Sequence, residues 1–134
     1  MNDHLNDSKL KAMGLKLLVS SRGSSVMIVE KLWKDFTKKF PREDQRSLVR
    51  WMKIWCDGDN PLPPERFKML CKEKGFRIDE FKSYQSRAYG VATNVLGDRD
   101  FVVTAIDLKK RDDADAAVIK RAARLAEEVG LEKK

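Results

Sequence analysis

Three strand-like runs stand close together between residues 76 and 108, and they restrict the fold more than any other part of the chain. Residues 76–84 read FRIDEFKSY. There Phe76 and Ile78, with Glu80, face one way, and Arg77, Asp79 and Phe81 the other. Residues 86–95 carry Ala88, Val91 and Val95. After Gly97-Asp98, a hairpin signal, residues 101–108 read FVVTAIDL, the clearest strand pattern in the chain. Three strands joined by short turns make an antiparallel meander, which needs further elements to cover it.

Those elements flank the meander. Residues 24–30, SSVMIVE, form a β-branched apolar run that reads as a strand. Leu32, Trp33 and Phe36 then begin a helix. Pro41 opens a second helix at a position where its missing N–H costs nothing. Its apolar stripe is Leu48, Trp51, Met52 and Trp55, and the short connection makes the two helices antiparallel. Asp57-Gly58-Asp59-Asn60-Pro61 ends this helix, and a loop extended by Pro63 and Pro64 is anchored by Phe67, Met69 and Leu70. A last helix, capped by Asp112 or Asp113, turns Val118, Ala122, Leu125, Ala126 and Val129 inward and stops at Gly130. Helical and strand runs segregate, so the fold class is α+β.

Residues 1–23 read as an N-terminal extension ahead of a domain over residues 24–134. Leu10, Met13, Leu17 and Leu18 recur at helical spacing and predict a helix over residues 8–19, capped by Asp7 or Ser8. Gly14 weakens that helix, and Ser20-Ser21-Arg22-Gly23 reads as a linker.

The rarest residues exclude chemistry. With one histidine, His4, near the N-terminus, a Ser-His-Asp triad, a Cys-His pair and a multi-histidine metal site lack their key group. Two cysteines, Cys56 and Cys71, make neither a disulfide framework nor a zinc site, so no metal or cofactor is expected. Any catalysis falls to Lys, Arg, Tyr, Asp and Glu. No apolar run approaches the ~18 residues of a membrane span, and a signal peptide's apolar region is missing. The expectation is a cytoplasmic protein with reduced thiols and no membrane contact.

The 134-residue chain is 42% hydrophobic, too apolar for wholesale disorder, and carries net charge +7. The charge is uneven. Residues 31–53 hold eight basic and three acidic side chains, residues 65–87 seven and four, and residues 88–108 one and three. Such a balance favours an anionic partner, RNA or DNA among them.

In this order the chain resembles the RelE/ParE superfamily of bacterial toxins from toxin–antitoxin pairs. The resemblance covers roughly residues 25–129. It rests on Trp33-Lys34-Asp35-Phe36 with Phe40-Pro41, and on Gly58-Asp59-Asn60 and Leu62-Pro63 leading to Phe67-Lys68-Met69-Leu70. It continues through Glu80-Phe81-Lys82 with Arg87 and Tyr89. Its most telling part is FVVTAIDLKK, residues 101–110, running into Asp112 and Ile119-Lys120-Arg121-Ala122. The resemblance implies a small antiparallel sheet with an N-terminal strand and two-helix hairpin packed on one face, a C-terminal helix, and a cognate antitoxin that wraps the toxin. One branch cuts mRNA in the ribosomal A site; another inhibits DNA gyrase without catalysis.

For the ribonuclease branch, which needs no metal, the resemblance leads to a cationic site. Arg87 is expected to clamp the phosphate, Lys110 to act as acid or charge stabiliser, and Lys82 or Lys109 to support either task. Glu80 is the alternative general base if it lies beside Lys82 or Arg87. Arg111 adds charge, and Tyr84 can stack on a base. Lys34, Lys38, Arg42, Arg46, Arg50 and Lys53 form a basic helical face suited to rRNA phosphates. Plain structural readings stand beside these. Lys109, Lys110 and Arg111 also fit a solvated turn neutralised by Asp112, Asp113 and Asp115, and the basic face fits an ordinary solvated helix. Tyr89 and the three tryptophans fit the core. The chain departs from the ribonuclease pattern where Ile78 and Glu80 stand for two further basic residues, and residues 113–117 supply no Tyr or His. Two rival readings remain: a non-catalytic inhibitor of the gyrase type, and a basic nucleic-acid-binding domain.

Overall fold

A computed structural model describes residues 3–108 and 115–133. The elements run α1 (Asp3–Met13), β1 (Leu15–Ser21), β2 (Ser24–Val29), a 3-10 turn (Glu30–Leu32), α2 (Trp33–Lys39), α3 (Arg42–Asp57), β3 (Phe67–Glu73), β4 (Phe76–Ser83), β5 (Ser86–Thr93), β6 (Asp100–Leu108) and α4 (Ala116–Glu128). Six strands form one sheet in the order β1-β2-β6-β5-β4-β3. The class is α+β. The sheet is mixed rather than purely antiparallel, because β2 pairs with β6 in parallel.

The expected meander is present as β4, β5 and β6. Its first turn is tight: Tyr84 and Gln85 link the strands, with Tyr84 at φ 56°. The second is a hairpin that contains Gly97-Asp98, but its loop is longer than a two-residue turn. Six residues, 94–99, form this loop, and the buried Asp100 carboxylate organises them by accepting from the backbone N–H of Val95, Leu96 and Gly97, at 2.8–3.0 Å. It also accepts from Ser25 N–H at 3.0 Å, which fixes the start of β2 against β6.

The N-terminal segment departs from its predicted helix. Gly14, at φ +74°, closes α1 with its N–H on the Lys11 carbonyl at 3.1 Å. The chain then turns into β1, where Leu15 is buried and Leu17 is 43% exposed. Ser20-Ser21-Arg22-Gly23 is not a linker. Arg22 and Gly23, at φ 51° and 81°, make the two-residue turn of the β1–β2 hairpin, whose positive φ angles match the twist of the flanking strands. A second unexpected strand, β3, replaces the anchored loop at residues 67–73.

The two-helix hairpin packs on one face of the sheet, and α4 and α1 cover the other. α2 and α3 press Phe36, Phe40, Leu48, Met52 and Trp55 onto Val26, Ile28, Phe81, Ala88, Phe101 and Val103. α4 brings Val118, Ala122, Leu125 and Ala126, and α1 brings Leu10, onto Met27, Ile78, Tyr89, Val91 and Val102 on the opposite face. The cap of α4 is Asp115, whose carboxylate accepts from Ala117 N–H at 2.9 Å, in place of the expected Asp112 or Asp113. Close packing between β5 and β6 needs Gly90: a Cβ there would lie 2.1 Å from the Val102 carbonyl oxygen. The pairing slips by one residue at this point, leaving Thr104 as a bulge in β6.

Candidate functional site

Period-two alternation places Glu80 and Lys82 of β4 with Arg87 and Tyr89 of β5 on the α4 face of the sheet. Lys82 lies opposite Arg87, Glu80 opposite Tyr89, and Arg87 opposite Asp107 of β6. Two of the expected cations therefore meet across one hairpin. Lys82 is half-buried, whereas Arg87 is 3% exposed and Glu80 fully buried. The Arg87 Nη1 donates to Glu80 Oε2 at 3.4 Å. A buried carboxylate and guanidinium are stable only as partners, so Glu80 lies beside Arg87 as an ion-pair partner. The Tyr89 hydroxyl faces this carboxylate without closing a hydrogen bond of normal length. Burial first, then the Glu80 charge, pushes its pKa above the ordinary phenol value.

Lys109, Lys110 and Arg111 fall outside the described residues. β6 ends at Leu108, which pairs with Ser86 beside the β4–β5 turn.

The six helical cations are all exposed, but they do not converge on Lys82 and Arg87. Arg46, Arg50 and Lys53 share a groove of about 480 Å³ with Leu17, Leu18 and Trp33, on the other face of the sheet. Lys53 is also paired with Asp57 at 3.5 Å. α3 reaches the hairpin through Asp44, whose buried carboxylate accepts from Ser86 Oγ at 2.7 Å.

Tyr84 is 73% exposed at the hairpin tip, in a left-handed conformation that a tyrosine rarely adopts. The Arg66 guanidinium lies 5.8 Å from its ring centre and 5.3 Å from that of Trp51. A cation flanked by two rings, one of them open to solvent, is a platform on which a base can stack. Arg66 was not foreseen, because only the position of β3 beside β4 brings it here: its carbonyl accepts from Lys82 N–H at 2.9 Å. Of the other tryptophans, Trp55 is in the core with Phe81 and Phe101.

Among the described residues no group of three His, Cys, Asp or Glu side chains is placed to hold a metal ion. Burial pushes the Cys56 thiol up to about 11, and the exposed Cys71 thiol is shifted upward as well, so neither is an activated thiolate. No described helix is long and apolar enough to cross a membrane. No protein-family model matches the chain, and no curated protein or solved structure matches it either.

Proposed function

We propose that this chain is the toxin of a toxin–antitoxin pair, of the RelE/ParE kind, and that it cuts mRNA in the ribosomal A site as a cytoplasmic, metal-independent endoribonuclease. The observation that carries this reading is the cross-strand pair Lys82 and Arg87, set at the end of the sheet where β6 stops at Leu108. In the reaction the ribose 2′-oxygen attacks the adjacent phosphorus and the bond to the 5′-oxygen breaks. The products are a 2′,3′-cyclic phosphate and a 5′-hydroxyl. A base takes the 2′-OH proton, an acid protonates the leaving oxygen, and cations stabilise the phosphorane. Lys82 and Lys110 fill the acid–base and charge roles. Arg87, held beside Glu80, is the phosphate clamp of this reading. The Arg66–Tyr84 platform holds a neighbouring base, and a cognate antitoxin restrains the free toxin.

The test is a defined translation reaction with stalled ribosomes and labelled mRNA. Wild type is expected to cut at the A site only when ribosomes are present, and Lys110→Ala and Arg87→Ala to lose that cut while keeping their far-UV spectra. Full cleavage by both folded variants would overturn the assignment. The burial of the Glu80–Arg87 pair favours one second reading, a non-catalytic inhibitor whose sheet face is structural. On that reading no cleavage occurs, and inhibition of gyrase supercoiling survives Lys110→Ala.

A further inference from the structure

Between α2 and α4 lies a cleft of about 730 Å³ floored by β6. It exists because the parallel pairing of β2 with β6 stops at Ile28 and Val103. From Thr104 onward no described strand lies on that side of β6, and the chain after β2 turns instead into the 3-10 turn and α2. Thr104 is 1% exposed, lines this cleft, and its Oγ1 has no hydrogen-bond partner. A buried, unsatisfied hydroxyl at a strand bulge calls for a ligand or a functional role. Lys31 and Lys39 stand on one wall, Arg121 and Arg124 on the other. The two lysines are engaged, Lys31 with Glu128 at 3.1 Å and Lys39 with Asp35 at 3.7 Å. Arg121 and Arg124 are exposed and make no ion pair or hydrogen bond among the described residues. Three residues apart on α4, they are neighbours with roughly 5–6 Å between Cβ atoms.

We propose that this cleft binds the phosphodiester backbone of single-stranded RNA, with Arg121 and Arg124 on two phosphates and the Thr104 hydroxyl donating to a backbone oxygen at the floor. The choice of RNA rests on the ribonuclease reading above. A planar guanidinium fork matches the phosphate oxygens in pairs. The half-buried Asp107 carboxylate lines the same cleft and is an acceptor for a ribose 2′-OH, the group that separates RNA from DNA. Leu108, at the end of the cleft, pairs with Ser86, which flanks the Tyr84 turn, so the proposed phosphate track ends on the side of the sheet that carries the base platform. An acidic peptide would use the arginines but not the platform.

The experiment is fluorescence anisotropy of a labelled ten-nucleotide single-stranded RNA with the full chain over a range of salt. Arg121→Gln/Arg124→Gln is expected to bind about tenfold more weakly, and to lower the log–log salt slope by about 1.4, the value for two single-strand phosphates. Arg121→Lys/Arg124→Lys keeps most of the slope. Thr104→Val weakens binding about threefold at unchanged slope, as loss of one uncharged hydrogen bond should. Lys72→Gln/Lys74→Gln, at the far hairpin, leaves affinity and slope as they were. Unchanged affinity in the arginine double variant would overturn the proposal. So would a glutamate decapeptide that displaces the RNA as well as unlabelled RNA does, which would make the cleft a site for an acidic protein segment. RNA held through these arginines without any cutting on ribosomes keeps the cleft and removes the ribonuclease reading. Cutting that is indifferent to Arg121→Gln/Arg124→Gln and to Thr104→Val does the reverse.

Discussion

The two faces of the sheet are built from different material. Under α3 the core is mainly aromatic, with Asp44, Asp79, Ser83 and Ser86 buried beside it: Phe81 and Phe101 are 5.0 Å apart between ring centres, Phe67 and Phe81 4.7 Å, and Trp55 and Phe101 5.7 Å. Under α4 the apolar residues share the face with Glu80, Arg87, Tyr89 and Thr104, all buried. Tilted and edge-to-face rings at these distances add to their area burial, whereas buried polar groups lose hydration and recover it only through good partners. The ring packing stabilises the first face, and the residues of the proposed reaction lie on the second.

The sharpest way to break the contrast is to hollow out the aromatic face. Phe101→Ala should lower the unfolding free energy by about 4 kcal/mol in urea titration, while whatever protein remains folded keeps RNA binding. A loss below about 1 kcal/mol would show that the rings are not the main support. Next, Glu80→Gln on the polar face should cost about 3 kcal/mol by leaving the Arg87 charge buried without its carboxylate. A gain in stability would instead place strain in that pair.

The third prediction concerns pH. The Tyr89 pKa is raised in the folded state, so the folded protein keeps the phenol proton longer than the unfolded chain does. That contribution is complete below the unfolded value of about 10 and is lost as pH rises above it. Thermal melts of wild type should therefore fall in this alkaline range more steeply than those of Tyr89→Phe. Parallel curves would remove Tyr89 from the polar cluster. The smallest effect is at the hairpin tip. Tyr84→Gly should stabilise by about 1 kcal/mol, because glycine adopts the left-handed backbone without penalty. The same variant should weaken RNA binding; stabilisation with full binding would deny the ring any role.

These differences were only partly legible in the sequence. Strands β4 to β6 and the α3 stripe declared themselves through their apolar pattern, and the facing of Phe76 and Ile78 against Phe81 came out as alternation required. β1 hid because Leu10, Met13, Leu17 and Leu18 satisfy a helical spacing, although Gly14 sits where α1 ends. β3 hid because a bulge between Met69 and Cys71 breaks its alternation. At the site, the juxtaposition of Lys82 and Arg87 follows from a short turn and a period of two. The pairing of Arg87 with Glu80 does not. It depends on which strands lie side by side and on α4 closing over them, and neither is written in local spacing.

The parallel union of β2 with β6 joins Ser25 to Asp100 across 75 positions of chain. A link of that span closes a long loop before it gains any stabilisation. During synthesis the β1–β2 hairpin emerges early, with Val26 and Ile28 unable to reach their neighbours on β6 until residues 100–103 have followed. Assembly of the sheet thus waits for residues 100–103, and the β1–β2 hairpin is exposed to misassociation until they arrive.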